Sequence, residues 1–254
     1  MDLAFNTSLL AGYKSASQMA RRLTEDWMAR EGFCLACDAD ELTPTRANTP
    51  ANDFVCPRCA HRYELKSFRT RPRKINDGAY RTMLEKIEAG SASSFLLLQY
   101  TPEWQANTLS AIHSSFLLPR AIEQRNPLSP EAERAGWVGC NILLDKIPSD
   151  GEIAVLRQGD AVPVPLVRQR FQRFLPLAKK SSESRGWTLL TLTLLRSLGL
   201  KDFELADAYR LQPEFAAVYP ENRHIRDKIR QQLQVLRDMG VVEFLGQGSY
   251  RFLD

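Results

Sequence analysis

Two Cys-x-x-Cys pairs constrain this chain more than any other feature. Cys34/Cys37 and Cys56/Cys59 are separated by 18 residues, inside the spacer of about 15–20 that paired zinc hooks use. Four thiolates on two facing knuckles fill a tetrahedral Zn²⁺ shell and leave no open position, so the expected zinc is structural. Free thiols or a redox Cys-x-x-Cys are the competing reading, but redox motifs do not come in hairpin-spaced pairs. His61 lies close enough to compete as a ligand; four cysteines already suffice. Cys140 stands alone and is expected to be packed. Metal-type rather than disulfide-type cysteine usage fits a reducing, cytoplasmic setting.

A chain of 254 residues can form one large domain or two smaller ones. No apolar run approaches the roughly 20 residues of a membrane span, and the first residues lack the pattern of a secretory signal. Thirty-four Lys and Arg against 30 Asp and Glu leave a net charge of +4. That permits a nucleic-acid partner without demanding one. No obligate protein partner is evident.

Residues 1–31 read as mostly helical, with Met19, Leu23, Trp27 and Met28 on one face and Gly32 as the stop. Residues 38–51 read as loop. Asn52–Val55 and His61–Ser67 are expected strands joined by the Cys-Pro-Arg-Cys knuckle. Residues 68–74 form a basic loop and Asp77–Ala89 reads as helix. Phe95–Tyr100 is apolar almost throughout, a strand covered on both faces. Phe116–Leu118 and Ile142–Leu144 are further strand candidates, and Glu152–Leu166 suggests a hairpin. Leu177–Arg185 is polar and reads as a linker. Beyond it come helices at Trp187–Leu198, Phe203–Tyr209 (Asp202 as N-cap) and Asn222–Met239, then a hairpin at Val241–Leu253. Three helices followed by a hairpin is the order of a winged helix. The expected domains are therefore 1–180 and 181–254.

Asp53, Glu64 and Lys66 carry the chemistry. With the knuckle as a hairpin turn and Cys56 opposite Cys59, Asp53 would pair with Arg62. Glu64 would lie one diagonal step away and Lys66 on the same face. Two carboxylates and an ammonium around one site suit metal-assisted phosphodiester hydrolysis. The carboxylates offer oxygen ligands to Mg²⁺, and the lysine orients the attacking water and offsets growing charge. A lone Asp…Glu-x-Lys is common on solvated strands; the pinned hairpin and the apolar strand at 95–100 favour the functional reading.

That arrangement resembles the PD-(D/E)xK nuclease superfamily. More closely, the chain resembles DpnI-type methyl-directed restriction endonucleases from end to end. The matching segments are LTEDW (23–27), the four cysteines, DF (53–54), ELKS (64–67), INDGAY (75–80), RAGWVGCNI (134–142), SSESRGWT (181–188) and IRQQLQVLRD (229–238). The resemblance implies an α/β restriction-endonuclease-like core with a zinc knuckle and a C-terminal winged helix. It implies cleavage of both strands of double-stranded DNA at GATC carrying N6-methyladenine, with Mg²⁺. By motif position Asp53, Glu64 and the Leu65 carbonyl would be metal ligands and Lys66 the catalytic lysine. Asn52 stands where the superfamily usually has proline, a position without chemistry. Glu25, on the first helix, is either a support for the metal or a solvated carboxylate.

Lys66, Arg69, Arg71, Arg73 and Lys74 put five cations in nine residues, a candidate phosphate grip or a solvated loop. In the last helix Ile225, Ile229, Leu233 and Leu236 form one stripe; Arg223, Arg226, Arg230 and Arg237 form another that can lie along a major groove. Trp137 is the candidate aromatic for reading an apolar methyl group or wedging a base step. Trp187 is a second, with core packing the alternative. Rival functions are a non-catalytic zinc-ribbon/winged-helix transcription regulator and a nuclease with another modified target.

Overall fold

The computed structural model describes residues 1–45 and 52–253, in two compact units, Met1–Leu175 and Pro176–Asp254. The part of the expected 38–51 loop at 46–51 lies outside the described residues.

In the first unit the apolar face at Leu23, Trp27 and Met28 builds α1 (Ala16–Glu31), which Gly32 ends, its N–H donating to the Met28 carbonyl. The leading residues are less helical than expected: a single 3-10 turn at Thr7–Leu10 precedes α1. Short strands β1 (Thr43–Pro44) and β2 (Phe54–Val55) lead into β3 (Arg62–Phe68) and β4 (Lys74–Ala79). Helix α2 (Tyr80–Glu88) precedes β5 (Ser94–Tyr100). After these come β6 (Ala106–Ile112), β7 (Ile122–Gln124), β8 (Gly139–Leu143), β9 (Glu152–Arg157), β10 (Asp160–Ala161) and α3 (Val164–Gln172).

Seven strands form one sheet in the order β1-β2-β3-β5-β6-β9-β10, with β3 and β5 parallel. β5 is its centre and is apolar because both of its faces are covered. On one face Leu96 and Leu98 pack with Leu23 and Trp27 of α1 and with Val167 and Phe171 of α3. On the other, Phe95 and Leu97 pack with Met83 and Ile87 of α2 and with a second sheet, β4-β8-β7, through Ile75 and Ile142.

Several sequence expectations are corrected. Asp77–Ala79 continue β4 and the helix begins only at Tyr80. Phe116–Leu118 do not form the expected strand: Phe116 closes a 3-10 turn at Ser114–Phe116, and Leu117 and Leu118 follow it outside any strand. The expected hairpin forms between β9 and β10, with the Val162 N–H on the Val155 carbonyl, but Pro163 is the N-cap of α3, so the second arm ends at Val162 instead of Leu166. Thr43–Pro44 pair with Phe54–Val55 within the expected loop.

A single turn, α4 (Leu175–Ala178), leads into the second unit. The expected linker at 177–185 is mostly helical, because α5 spans Ser182–Ser197 and Ser181 caps it by accepting the Ser184 N–H. Asp202–Glu204 form β11 rather than the start of a helix. Glu204 and Asp207 then make a reciprocal capping box for α6 (Leu205–Arg210). Next come α7 (Gln212–Val218), α8 (Ile225–Asp238) and the hairpin of β12 (Val242–Gly246) and β13 (Ser249–Phe252). Gln247 and Gly248 both adopt positive φ, 50° and 89°, as a tight hairpin tip requires. β11 joins the hairpin as β11-β13-β12. This is a winged helix: helices packed through Leu192, Leu195, Ile229, Leu233 and Leu236, with a small sheet as the wing.

Candidate active site and DNA-reading unit

The knuckle brings its four thiols together. Cys34 Sγ lies 3.6 Å from Cys59 Sγ, and Cys37 Sγ 3.5 Å from Cys56 Sγ. All four Sγ atoms fall within 4.8 Å of one another, and none is in a disulfide. A Zn–S bond of about 2.3 Å gives a tetrahedron with edges of about 3.8 Å, so the donor set fits zinc. The Arg58 and Cys59 N–H groups both donate to Cys56 Sγ at 3.4 Å. Burial pushes the Cys56 thiol up, but those amides and the neighbouring thiols outweigh it and bring it down to about 7. His61 is not part of the cluster: its ring packs on Phe171 and Nε2 meets Ser94 Oγ at 3.0 Å. Cys140 is buried in the apolar core of the second sheet.

The hairpin register differs from the one the sequence suggested. Phe54 faces Tyr63, and Cys56 N donates to the His61 carbonyl, so the turn is two residues longer than assumed. Arg62 pairs with Val55 rather than with Asp53, and the regular register stops at Phe54: the Asp53 N–H also donates to the Tyr63 carbonyl, at 3.0 Å.

Asp53 sits immediately before β2. Its Oδ2 accepts the Leu65 N–H at 2.8 Å, taking the place of a ladder partner at the edge of β3. In a strand the N–H and C=O of one residue face the same neighbour, so the Leu65 carbonyl faces that edge too. Burial raises the Asp53 pKa, the Leu65 amide opposes this, and the nearby Glu25 charge adds to it. Glu25 itself pairs with Arg21 at 2.6 Å, and Arg21 also acts on Asp53, lowering its pKa.

Glu64 and Lys66 point to the apolar face shared with Phe95 and Leu97. Lys66 Nζ lies 2.7 Å from Glu64 Oε1 and 5.8 Å from the Phe95 ring centroid. It also meets Asp77 Oδ1 at 3.2 Å. Asp77 comes from the other sheet and was not singled out from the sequence. Its strand is bulged there: Asp77 pairs with Cys140 and Ala79 with Gly139, leaving Gly78 unpaired. Bulges re-aim side chains in this way. Burial pushes the Glu64 carboxyl up to about 7; Lys66 pulls it down and the Asp77 charge pushes it up again. Burial alone would lower the Lys66 pKa, but the two carboxylates outweigh it and hold the amine charged. Two carboxylates thus share one ammonium, and Glu64 Oε2 and Asp77 Oδ2 have no hydrogen-bond partner among the described residues. A proton shared between the two carboxyls, or a further cation, would relieve that pair. Asp53, Glu64 and Asp77 do not close into a compact triad; the cysteines are the one such set among the described residues.

The basic segment after β3 is largely engaged. Arg71 makes a bidentate pair with Glu152 at 2.7 Å, and Lys74 meets Glu123 at 2.7 Å. The Arg69 guanidinium lies 5.4 Å from the Trp104 ring centroid, and Arg73 is exposed. Trp137 is half-buried in the long β7–β8 connection, with the Arg134 guanidinium 4.9 Å from its ring centroid. A Cβ on Gly139 would meet the indole at 2.8 Å, so the ring rests on bare backbone.

In the second unit α8 buries Ile229, Gln232, Leu233 and Leu236. Arg223, Arg226 and Arg230 are exposed. Arg226 and Arg230 flank the Tyr209 ring at 5.0 and 5.5 Å. Trp187 is core: it is 2% exposed and stacks on Tyr219 at 3.9 Å.

A charged cluster on adjoining strands beside a thiolate knuckle, with a winged helix following in the same chain, is what a nuclease with its own DNA-reading module contains. That is the class. The chain belongs to the DpnI, or Dam-replacing, family: the family profile matches residues 1–180, and that of the Dam-replacing HTH domain matches residues 183–252. It is accordingly a methyl-directed restriction endonuclease acting on DNA.

Proposed function

We propose that the protein hydrolyses both strands of double-stranded DNA at GATC sites carrying N6-methyladenine, as a type II enzyme that uses Mg²⁺. The observation that carries the chemistry is the charged Glu64–Lys66 pair on an otherwise apolar sheet face, next to Asp53 on the Leu65 amide. Asp53, Glu64 and the Leu65 carbonyl would hold the divalent ion. When bound, that ion supplies positive charge to the phosphoryl oxygens and acidifies an attacking water. Lys66, kept charged by its carboxylate neighbours, orients the water and offsets charge that grows in the transition state. The closed thiolate cluster takes no part in the reaction and pins the turn from which β2 and β3 diverge.

The 1–180 part does the cutting in this reading, and 181–254 reads DNA separately. Arg223, Arg226 and Arg230 face the duplex; Arg69, Arg73 and, after exchanging their carboxylate partners, Arg71 and Lys74 meet phosphates. Trp137 is the aromatic that meets the methylated base, its ring resting on Gly139.

The test uses one plasmid prepared from adenine-methylating and non-methylating hosts. Cleavage of the first alone, at every GATC, is the expected outcome, with Lys66→Ala uncut but still bound. Equal cutting of both plasmids, or none of either, would remove the methyl-directed assignment at GATC. Binding without cleavage by the unaltered protein would favour a transcription regulator.

A further inference from the structure

We infer that Asp77 is the positioning residue for Lys66, holding its ammonium in place when Glu64 turns to a cation; this rests on the proposed role of Lys66. In the structure Lys66 has two carboxylate contacts, Glu64 at 2.7 Å and Asp77 at 3.2 Å. They are not equivalent. Glu64 lies on the same strand two residues away, where Asp53 and the Leu65 amide also converge. Once its oxygens are drawn to a divalent ion, its hold on the amine is shared with a competitor of twice the charge.

Asp77 stays out of that competition. It belongs to the other sheet, and its side chain is only 4% exposed. Its Oδ1 meets Lys66, while Oδ2 is buried and lacks a hydrogen bond among the described residues. Burying a carboxylate with half its acceptors idle costs free energy that an apolar residue at this site would avoid. Around it stand Ile75, Cys140 and Ile142, all buried and apolar. The fold places a bulge at Gly78, directly after Asp77, which keeps its pairing with Cys140 while its side chain reaches across to β3. A purely structural tie between the sheets is already supplied by packing of Phe95 and Leu97 on Ile75 and Ile142. An ammonium on four flexible methylenes needs a fixed anion to hold one position, and Asp77 is the fixed one.

The experiment compares the full chain with Asp77→Asn, Asp77→Glu and Lys66→Ala, using methylated plasmid cleavage, DNA affinity with Ca²⁺ in place of Mg²⁺, Mn²⁺ binding by calorimetry, and thermal melting. Asp77→Asn is expected to lower kcat roughly 10–100-fold with DNA affinity, Mn²⁺ affinity and Tm held. Asp77→Glu should recover part of that loss. The inference is overturned if Asp77→Asn cuts at the normal rate. It is also overturned if the variant loses Mn²⁺ binding, which would make Asp77 a ligand, or if kcat falls only in step with Tm, which would make it structural. Lys66→Ala separates the two levels: if it cuts normally the proposed mechanism itself fails, whereas normal cutting by Asp77→Asn beside an inactive Lys66→Ala removes Asp77 alone.

Discussion

Lys66, Glu64 and Asp77 occupy a face whose other members are phenylalanine, leucine and isoleucine. Replacing such a buried ionic group by apolar side chains is commonly neutral or stabilising by about 1–4 kcal/mol, so stability does not account for it. His113 is another buried polar side chain, and its Nε2 also lacks a hydrogen-bond partner among the described residues. Ser115 N–H and Oγ both meet its Nδ1, at 3.1 and 2.8 Å, which fixes Nδ1 as acceptor and places the proton on Nε2. Phe171 and Phe174 enclose the ring. Burial, with a smaller contribution from His61, lowers its pKa to about 3. The unfolded imidazole titrates near 6.5, so between about 6.5 and 3 the unfolded chain binds a proton that the folded chain does not. Stability therefore falls as pH falls through that window, by up to about 1.4 kcal/mol per pH unit from this group. Urea unfolding between pH 6 and pH 4 should show a shallower acid slope for His113→Leu than for the unaltered protein. An unchanged slope would place the acid sensitivity elsewhere.

At the scale of elements, the knuckle, α1, β3 and the central β5 were legible because each has a local signature: hook spacing, one apolar face, or a covered apolar run. The hairpin register was not. Cys-x-x-Cys spacing does not say how many residues the turn holds; that depends on Ala60 at φ 58° and on two amides directed at Cys56 Sγ. Asp77 was missed for a related reason. Its partner lies in another sheet, and the segment 77–89 carries a helical apolar period that masks the strand at its start. β6 was overlooked because Thr108 and Ser110 dilute its apolar residues. The knuckle's energetic role is testable as an element. Zinc held by four thiolates is folding free energy for the turn that carries Asp53. One zinc per chain is expected by elemental analysis. A strong chelator should lower Tm and abolish cleavage, with recovery on zinc and none on Mg²⁺ alone. Full activity in zinc-free protein would deny the cluster that role.

For the whole molecule, each unit carries its own core, and among the described residues no helix is long and apolar enough to cross a membrane. The winged helix was readable in outline from its order of helices and hairpin, although β11 and the short α7 were not, because three-residue strands and two-turn helices lack a measurable period. Trp187, Leu192, Phe215, Ile229, Leu233 and Phe252 give Pro176–Asp254 a buried centre independent of residues 1–175. That segment should therefore fold when produced alone and bind duplex DNA without cutting it. Its affinity should fall with salt, since each phosphate neutralised contributes about −0.9 to the slope of log K against log salt. Arg226 and Arg230 are exposed and steadied by the Tyr209 ring, so replacing either by alanine should make that slope shallower by about 0.9 if it meets a phosphate. If it reads a base instead, the slope holds and the preference for methylated GATC over other sequences drops, by about 1–3 kcal/mol per bidentate contact. Titrating the isolated segment at several salt concentrations distinguishes these roles. A segment that folds but shows no salt-dependent DNA affinity would leave DNA reading to residues 1–175.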